Sequence, residues 1–293
     1  MTFRTPPPLA AGSLVAVVAP ASGFDRDELF RGLAWLSTRY RLRVDQRILS
    51  RAGFLAGPDE DRADVLARAM LDREVDAIVC ARGGYGSMRI LDALPWEAFV
   101  ERPKAIVGFS DVTALHVAAN ALGLVTVHGP NVTGLGRSIS ASERASLIAA
   151  IEGGAPAPWI GLERIAPGDA RGVVVGGNLA LVQAMAAAGR LVIPSGAIVV
   201  LEDVTERPYR IDRMLTSLLL GGHLARAGAV VFGGFTQCDP GPDGVTVEDV
   251  LRERTQKLGI PVAAHAPFGH GTPNHAFRLG REAVLRGDTL TWT

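Results

Sequence analysis

The sequence predicts an α/β protein made of two α/β domains with largely parallel sheets. Two observations carry this. In both halves of the chain, short apolar runs alternate with stretches of helical spacing, the pattern of parallel strands flanked by helices. Between the halves, EGGAPAPWIGLERIAPGDAR (152–171) crowds Gly and Pro and loses periodicity, as an interdomain linker does. The expected division is an N-terminal domain over 1–152, a linker over 153–171 and a C-terminal domain over 172–293.

In the first half, SLVAVVAP (Ser13 to Pro20) reads as a buried strand. Arg26 to Arg39 places Leu29, Phe30, Leu33, Ala34 and Leu36 at helical spacing, and Asp59 to Leu71 gathers Leu66, Ala67 and Met70 on one helix face. Asp76 to Ala81 is a strand that runs into Arg82-Gly83-Gly84-Tyr85-Gly86, followed by a helix to Leu94. Ala105 to Gly108 is a strand, Asp111 to Leu122 a helix and Val125 to His128 a short strand. In the second half, strands are expected at Gly172 to Val175, Ala197 to Val204, Ala229 to Phe235 and Pro261 to Ala266. Helices are expected at Asn178 to Ala188, Ile211 to Leu220 and Val247 to Lys257. The tail, Glu282 to Thr293, reads as a hairpin around the turn pair Gly287-Asp288.

The 293 residues are 48% hydrophobic, enough for a sizeable core. Thirty basic residues balance thirty acidic ones, so there is no basic footprint for nucleic acid or an anionic membrane. No segment approaches the roughly 18 apolar residues of a membrane span. At the N-terminus three prolines precede a strand-like run of about six residues, unlike a signal peptide. A soluble cytoplasmic protein is expected. Cys80 and Cys238 read as reduced core thiols. No histidine pair shows metal-ligand spacing, and neither a metal nor an organic cofactor is expected.

Open parallel sheets carry their sites at the carboxyl ends of strands, and three such ends stand out. Ser110 follows the strand Ala105 to Gly108, with a helix starting at once. A serine there is either a nucleophile with the N–H of Asp111 beneath it or an ordinary N-cap. Arg82 to Gly86 is a phosphate cradle, an oxyanion donor or a plain tight turn. Glu202 and Asp203 end a strand and either orient a histidine or lie solvated. Of six histidines, His270 sits in a glycine-flanked loop, FGHGTPN, just beyond a strand. His116 and His223 read as structural, and His128 is a candidate for lining the site.

The segments VAVVAPAS, CARGGYGSMRILD, IVGFSDVTALH, HGPNV, VVGGNLALV, VLEDVTERPYRIDRML, VVFGGF and PVAAHAPFGHGTPN together resemble the LD-carboxypeptidase family of serine peptidases. That family includes muramoyltetrapeptide carboxypeptidases and microcin C immunity peptidases. The resemblance covers most of the chain. It implies Ser110 as nucleophile, His270 as general base and Glu202 as orienting acid. It also implies an oxyanion hole from the N–H groups of Gly84 and Asp111, and an active site in the cleft between the domains. The implied reaction releases terminal D-alanine from murein tetrapeptide across an L,D-peptide bond, in cell-wall recycling. The substrate is then a small peptide, and a homodimer is expected. Arg82, Arg207 and Arg210 are candidate readers of the substrate carboxylate, and Asn178 is a candidate pocket residue. The alternative is a peptidase that cleaves peptidyl or aminoacyl-adenylate conjugates. The segment CDPGPDGVT (238–246) has no aromatic to hold a base, which weighs against it.

Overall fold

The computed structural model describes residues 1–137 and 139–293. Its strands are β1 (Leu14–Val18), β2 (Arg41–Val44), β3 (Ala77–Cys80), β4 (Ala105–Gly108), β5 (Thr126–His128), β6 (Glu163–Ala166) and β7 (Ala170–Asn178). They continue as β8 (Ile198–Val204), β9 (Ala229–Thr236), β10 (Val262–Ala264), β11 (Phe277–Leu279), β12 (Glu282–Arg286) and β13 (Thr289–Trp292). The first sheet has the order β11-β5-β4-β3-β1-β2, and the second β13-β12-β7-β8-β9-β10-β6. In the first sheet only the β11 edge is antiparallel. In the second, β7 to β10 run parallel while β6, β12 and β13 pair antiparallel. The parallel core of each sheet follows the expected alternation of strands and helices.

The apolar runs become buried strands because both faces of each sheet are covered. In the second sheet successive side chains point to opposite faces. Val175, Val199, Leu201, Val230 and Phe232 enter a core against the helices. Val174, Ile198, Val200, Ala229 and Val231 enter a second core with Trp159, Phe268, Phe277 and Leu290. Helix starts follow local chemistry. Asp25 accepts from Glu28 N at the start of Arg26–Ser37, and a capping box of Ser140 and Glu143 opens Ala141–Ile151. Pro begins helix Pro208–Leu220.

Three strands have no counterpart in the sequence reading. β2 (RLRV) and β6 (ERIA) are edge strands of mixed polarity with little burial, so no apolar run announces them. β6 lies inside 153–171, and β7 begins at Ala170 within that same segment. β11 has three residues and is recruited by a neighbour: it pairs antiparallel with β5. It therefore carries chain from the C-terminal half into the first sheet, while its Phe277 packs in the core of the second. That crossing anchors the loop before it, which holds His270. The tail forms the expected hairpin, β12 against β13. Cys80 and Cys238 are buried free thiols. Among the described residues, no helix is long and apolar enough to cross a membrane.

Candidate active site

Ser110 and the turn over 82–86 lie just beyond the carboxyl ends of parallel strands, whereas Glu202 and Asp203 lie among the last residues of β8, which runs on to Val204. β4 leads into Ser110, whose φ of 65° puts a non-glycine residue in the left-handed region. Such a conformation is strained for an L residue and persists where the surroundings enforce it. Here a short 3-10 turn, Ser110–Val112, follows and runs into helix Thr113–Ala121. Asp111 N lies in the first turn of this helical segment, where N–H groups have no partner within the helix.

The glycine turn after β3 is built against this serine. A methyl group on Gly83 would sit 2.8 Å from Ser110 Cβ and 3.0 Å from its Oγ, so only glycine fits. Gly84, with φ of 101°, lies over Ser22 in the same way. The Asp111 carboxylate is buried and accepts from Ser87 N at 2.7 Å, which ties this turn to the serine turn. Burial raises the Asp111 pKa, against the donors from Ser87. Tyr85 and Phe54 are exposed rings in edge contact beside the turn, with centroids 5.5 Å apart.

Across from this, β8 presents Glu202. The pairing of β8 with β9 shifts register between Leu201 and Asp203; irregular pairing of this kind re-aims side chains near active sites. Glu202 is fully buried, and its Oε2 lies 2.7 Å from His270 Nδ1. The same oxygen would be 2.9 Å from a methyl group on Gly269 (φ 126°), so glycine before His270 lets the loop close onto the acid. Burial pulls the His270 pKa down, but the hydrogen bond and charge of Glu202 outweigh it and leave it above the usual histidine value. A carboxylate at Nδ1 holds the proton there and leaves Nε2 with its lone pair. The ring of Phe109, the residue before Ser110, lies 4.9 Å from the His270 ring, so serine turn and histidine loop pack together.

Asn178 sits beneath the acid rather than on a pocket surface. It is 4% exposed, and its Nδ2 donates to Glu202 Oε1 at 3.3 Å and Asp203 Oδ1 at 3.0 Å. Its Oδ1 caps helix Leu179–Ala187, and its backbone N donates to Thr113 Oγ1, three residues past Ser110. Asp203 also accepts from Ala180 N and Val204 N; burial, aided by the Glu202 charge, pushes its pKa up to about 6. The sequence pairs Glu202 with Asp203 but gives no sign that Asn178 bridges them.

The three arginines are exposed, and each has a protein partner. Arg82 donates to the Gly23 carbonyl, Arg207 to the carbonyls of Asp239 and Pro240, and Arg210 faces Glu206 and Tyr209. His128 does not line the site: it is fully buried against Phe109, Phe268 and Phe277. His116 is also buried, with Nε2 on the Gly108 carbonyl. Among the described residues, no group of three or more His, Cys, Asp or Glu side chains is placed to hold a metal ion.

Residues 15–129 match the model of the LD-carboxypeptidase N-terminal domain, and residues 171–285 that of the LD-carboxypeptidase C-terminal domain. The chain belongs to the LD-carboxypeptidase family. A putative carboxypeptidase of Synechocystis is 38% identical over 99% of this chain and 96% of its own. The murein tetrapeptide carboxypeptidase of Pseudomonas aeruginosa is 34% identical over 95% of this chain and 94% of its own. Among solved structures, the muramoyltetrapeptide carboxypeptidase of Oxalobacter formigenes superposes with a TM-score of 0.86 at 26% identity, covering 95% of this chain and 97% of that one. MccF in complex with glutamyl sulfamoyl guanosine superposes with a TM-score of 0.89 and covers 98% of each chain. At 19% identity that likeness is one of fold. As a member of this family of peptidases, the chain shares the two-domain α/β fold of these carboxypeptidases.

Proposed function

We propose that this chain is a serine carboxypeptidase that cuts an L,D-peptide bond and releases terminal D-alanine from murein tetrapeptide. The observation that carries this is the buried Glu202 paired with a part-buried His270, packed through Phe109 onto a serine held at φ 65°. The substrate class comes from the murein peptidases among the relatives.

A serine hydroxyl is a weak nucleophile until a base takes its proton. His270 Nε2 is that base, and it returns the proton to the departing amine of D-alanine. Glu202 fixes the Nδ1–H tautomer and stabilises the imidazolium. Ser110 Oγ attacks the carbonyl carbon, and the resulting oxyanion is held by the N–H groups of Gly84 and Asp111. Losing one such donor lowers the rate by about 100- to 1000-fold. The acyl-enzyme is then hydrolysed by water, with His270 again as base. We assign Asn178 to supporting Glu202, since its polar atoms are engaged inside the protein. Of the arginines, Arg82 directly precedes the turn against Ser110, and we assign it the substrate carboxylate.

We place this activity in cytoplasmic murein recycling and expect a homodimer, which size-exclusion chromatography with light scattering tests. The deciding experiment is D-alanine release from purified murein tetrapeptide by wild type and Ser110→Ala. Release by wild type alone supports the reading. Release by both removes Ser110 as nucleophile, and release by neither removes murein tetrapeptide as substrate and moves the search to adenylate conjugates.

A further inference from the structure

The His270 loop is fastened on a second side, away from Glu202. Residues 269–276 pass over helix Ala141–Ile151, whose side chains meet their backbone. Asn274 N donates to Glu143 Oε1 at 2.9 Å, and Ala276 N donates to Ser146 Oγ at 2.8 Å. Asn274 Oδ1 in turn accepts from Gly269 N at 3.2 Å, at the residue before His270. One carboxylate therefore begins a chain of bonds that ends beside the histidine.

Glu143 exceeds what a helix cap requires. A capping box uses one carboxylate oxygen on the N-cap residue and normally stands in water. Here Oε2 does that work, accepting from Ser140 N at 2.8 Å and Ser140 Oγ at 2.7 Å. The side chain is nevertheless only 2% exposed, with Oε1 turned toward the loop. Burying a carboxylate is costly unless its oxygens are satisfied. Burial raises the Glu143 pKa, but the Asn274 and Ser140 donors outweigh it and hold it below the usual value. The carboxylate is thus a fixed acceptor that ties a C-terminal loop to a helix packed on the first sheet, the sheet that presents Ser110.

We propose that Glu143 is a positioning residue for the reaction: its carboxylate clamps the 269–276 loop through Asn274 and so sets His270 against Ser110 across the two domains. This rests on the reading of Ser110 as nucleophile and His270 as base. Misplacing a reacting group by about 1 Å lowers a rate by roughly 100-fold. Loss of the clamp therefore acts on kcat, because Glu143 is buried and both its carboxylate oxygens are taken up by protein donors.

The test uses the full chain as wild type, Ser110→Ala, Ser140→Ala, Glu143→Ala and Glu143→Met. D-alanine release gives kcat and KM. Labelling by a fluorophosphonate probe gives a second readout, in which Ser110 Oγ displaces fluoride from phosphorus and its proton passes to His270. For Glu143→Ala the expected result is a cooperative thermal melt, KM within about two-fold of wild type, and kcat and labelling both down by about 10- to 100-fold. Ser140→Ala removes a capping hydroxyl from the same carboxylate but leaves the Asn274 bond, and should keep kcat within about two-fold. If Glu143→Ala does not fold, Glu143→Met carries the same comparison: it fills a similar volume but offers no carboxylate oxygen to Asn274 N, so kcat falls and KM holds. A folded Glu143 variant with wild-type kcat overturns the proposal. So does an equal kcat loss in Ser140→Ala, which would reduce Glu143 to a cap. Failure of the underlying reading looks different: wild type itself then neither releases D-alanine nor labels at Ser110, and the proposal goes with it.

Discussion

Glu202 Oε2 and His270 Nδ1 lie 2.7 Å apart, with the acid fully buried and the histidine side chain 18% exposed. Two opposed effects act on the imidazole: burial lowers its pKa, and Glu202 raises it by more. A general base works only when neutral, so with His270 as the proposed base kcat/KM should rise with pH as its ring loses the proton. Glu202→Gln removes the raising influence and leaves burial. The acid limb of the pH profile should therefore move to lower pH, while kcat at its plateau falls by about 10²- to 10⁴-fold because the tautomer is no longer fixed. A pH profile of D-alanine release checks both. An acid limb that stays in place would mean that it reports another group.

Gly83 and Ser110 are in contact so close that no side chain fits between them. A methyl group at Gly83 meets Ser110 Cβ at 2.8 Å and Phe109 O at 3.0 Å, both part of the turn that holds Ser110, the proposed nucleophile. Gly83→Ala should displace that turn and lower kcat by about 100-fold or more. Overpacking of this kind lowers stability by about 1–3 kcal/mol, so the protein should remain folded at 25 °C. Parallel measurements of kcat and urea midpoint separate the two effects. Retention of wild-type kcat would show that the turn is not held against the reacting hydroxyl.

Much of this site was legible because parallel strands announce themselves as apolar runs and deliver their next residues to one edge of a sheet. Ser110, Glu202 and the Gly83-Gly84 turn were found that way. His270 was harder, since its position depends on β11, three residues paired with β5 from half a chain away. Pairing at that range leaves no local signature. Asn178 is a candidate pocket residue in the sequence, but its contacts are not legible there: a buried amide bridging two acids depends on the adjacency of β7 and β8. Glu143 was invisible in sequence because a capping box explains it completely until its burial is known.

Asp203 sits beside Glu202 with its pKa pushed up to about 6 from an ordinary 3.8, chiefly by burial. The folded protein thus holds this proton longer than the unfolded chain. The stabilising contribution is complete below pH 4 and is lost as pH rises to about 6, by at most about 3 kcal/mol. Asp203→Asn abolishes that loss. The variant will be less stable overall, because an amide nitrogen must face the Ala180 N–H that now donates to Oδ2. Its stability should nevertheless climb more steeply than that of wild type between pH 4 and pH 6. Urea unfolding of both proteins across that range measures the slopes, and equal slopes would mean that Asp203 is ionised throughout.

His116 and His128 act in the opposite direction. Burial lowers their pKa values to about 4 and about 3, so both stay neutral in the fold while they charge readily in the unfolded chain. Their contribution is present above pH 6.5 and drains away as pH falls, by about 1.4 kcal/mol per pH unit for each group until its folded pKa is reached. His128 is the better target. Its ring stacks on Phe277 with centroids 4.8 Å apart and touches Phe109 and Phe268. Neither of its nitrogens has a hydrogen-bond partner of normal geometry, although Asn274 lies close enough to influence its titration. Phenylalanine suits such a slot, removes two unpaired polar atoms and cannot take up a proton. His128→Phe should therefore match or exceed wild-type stability at pH 7, and between pH 6.5 and pH 4 it should lose about 3 kcal/mol less than wild type. Equal acid losses in the two proteins would show that His128 is already protonated or solvated in the fold, and that acid sensitivity arises elsewhere.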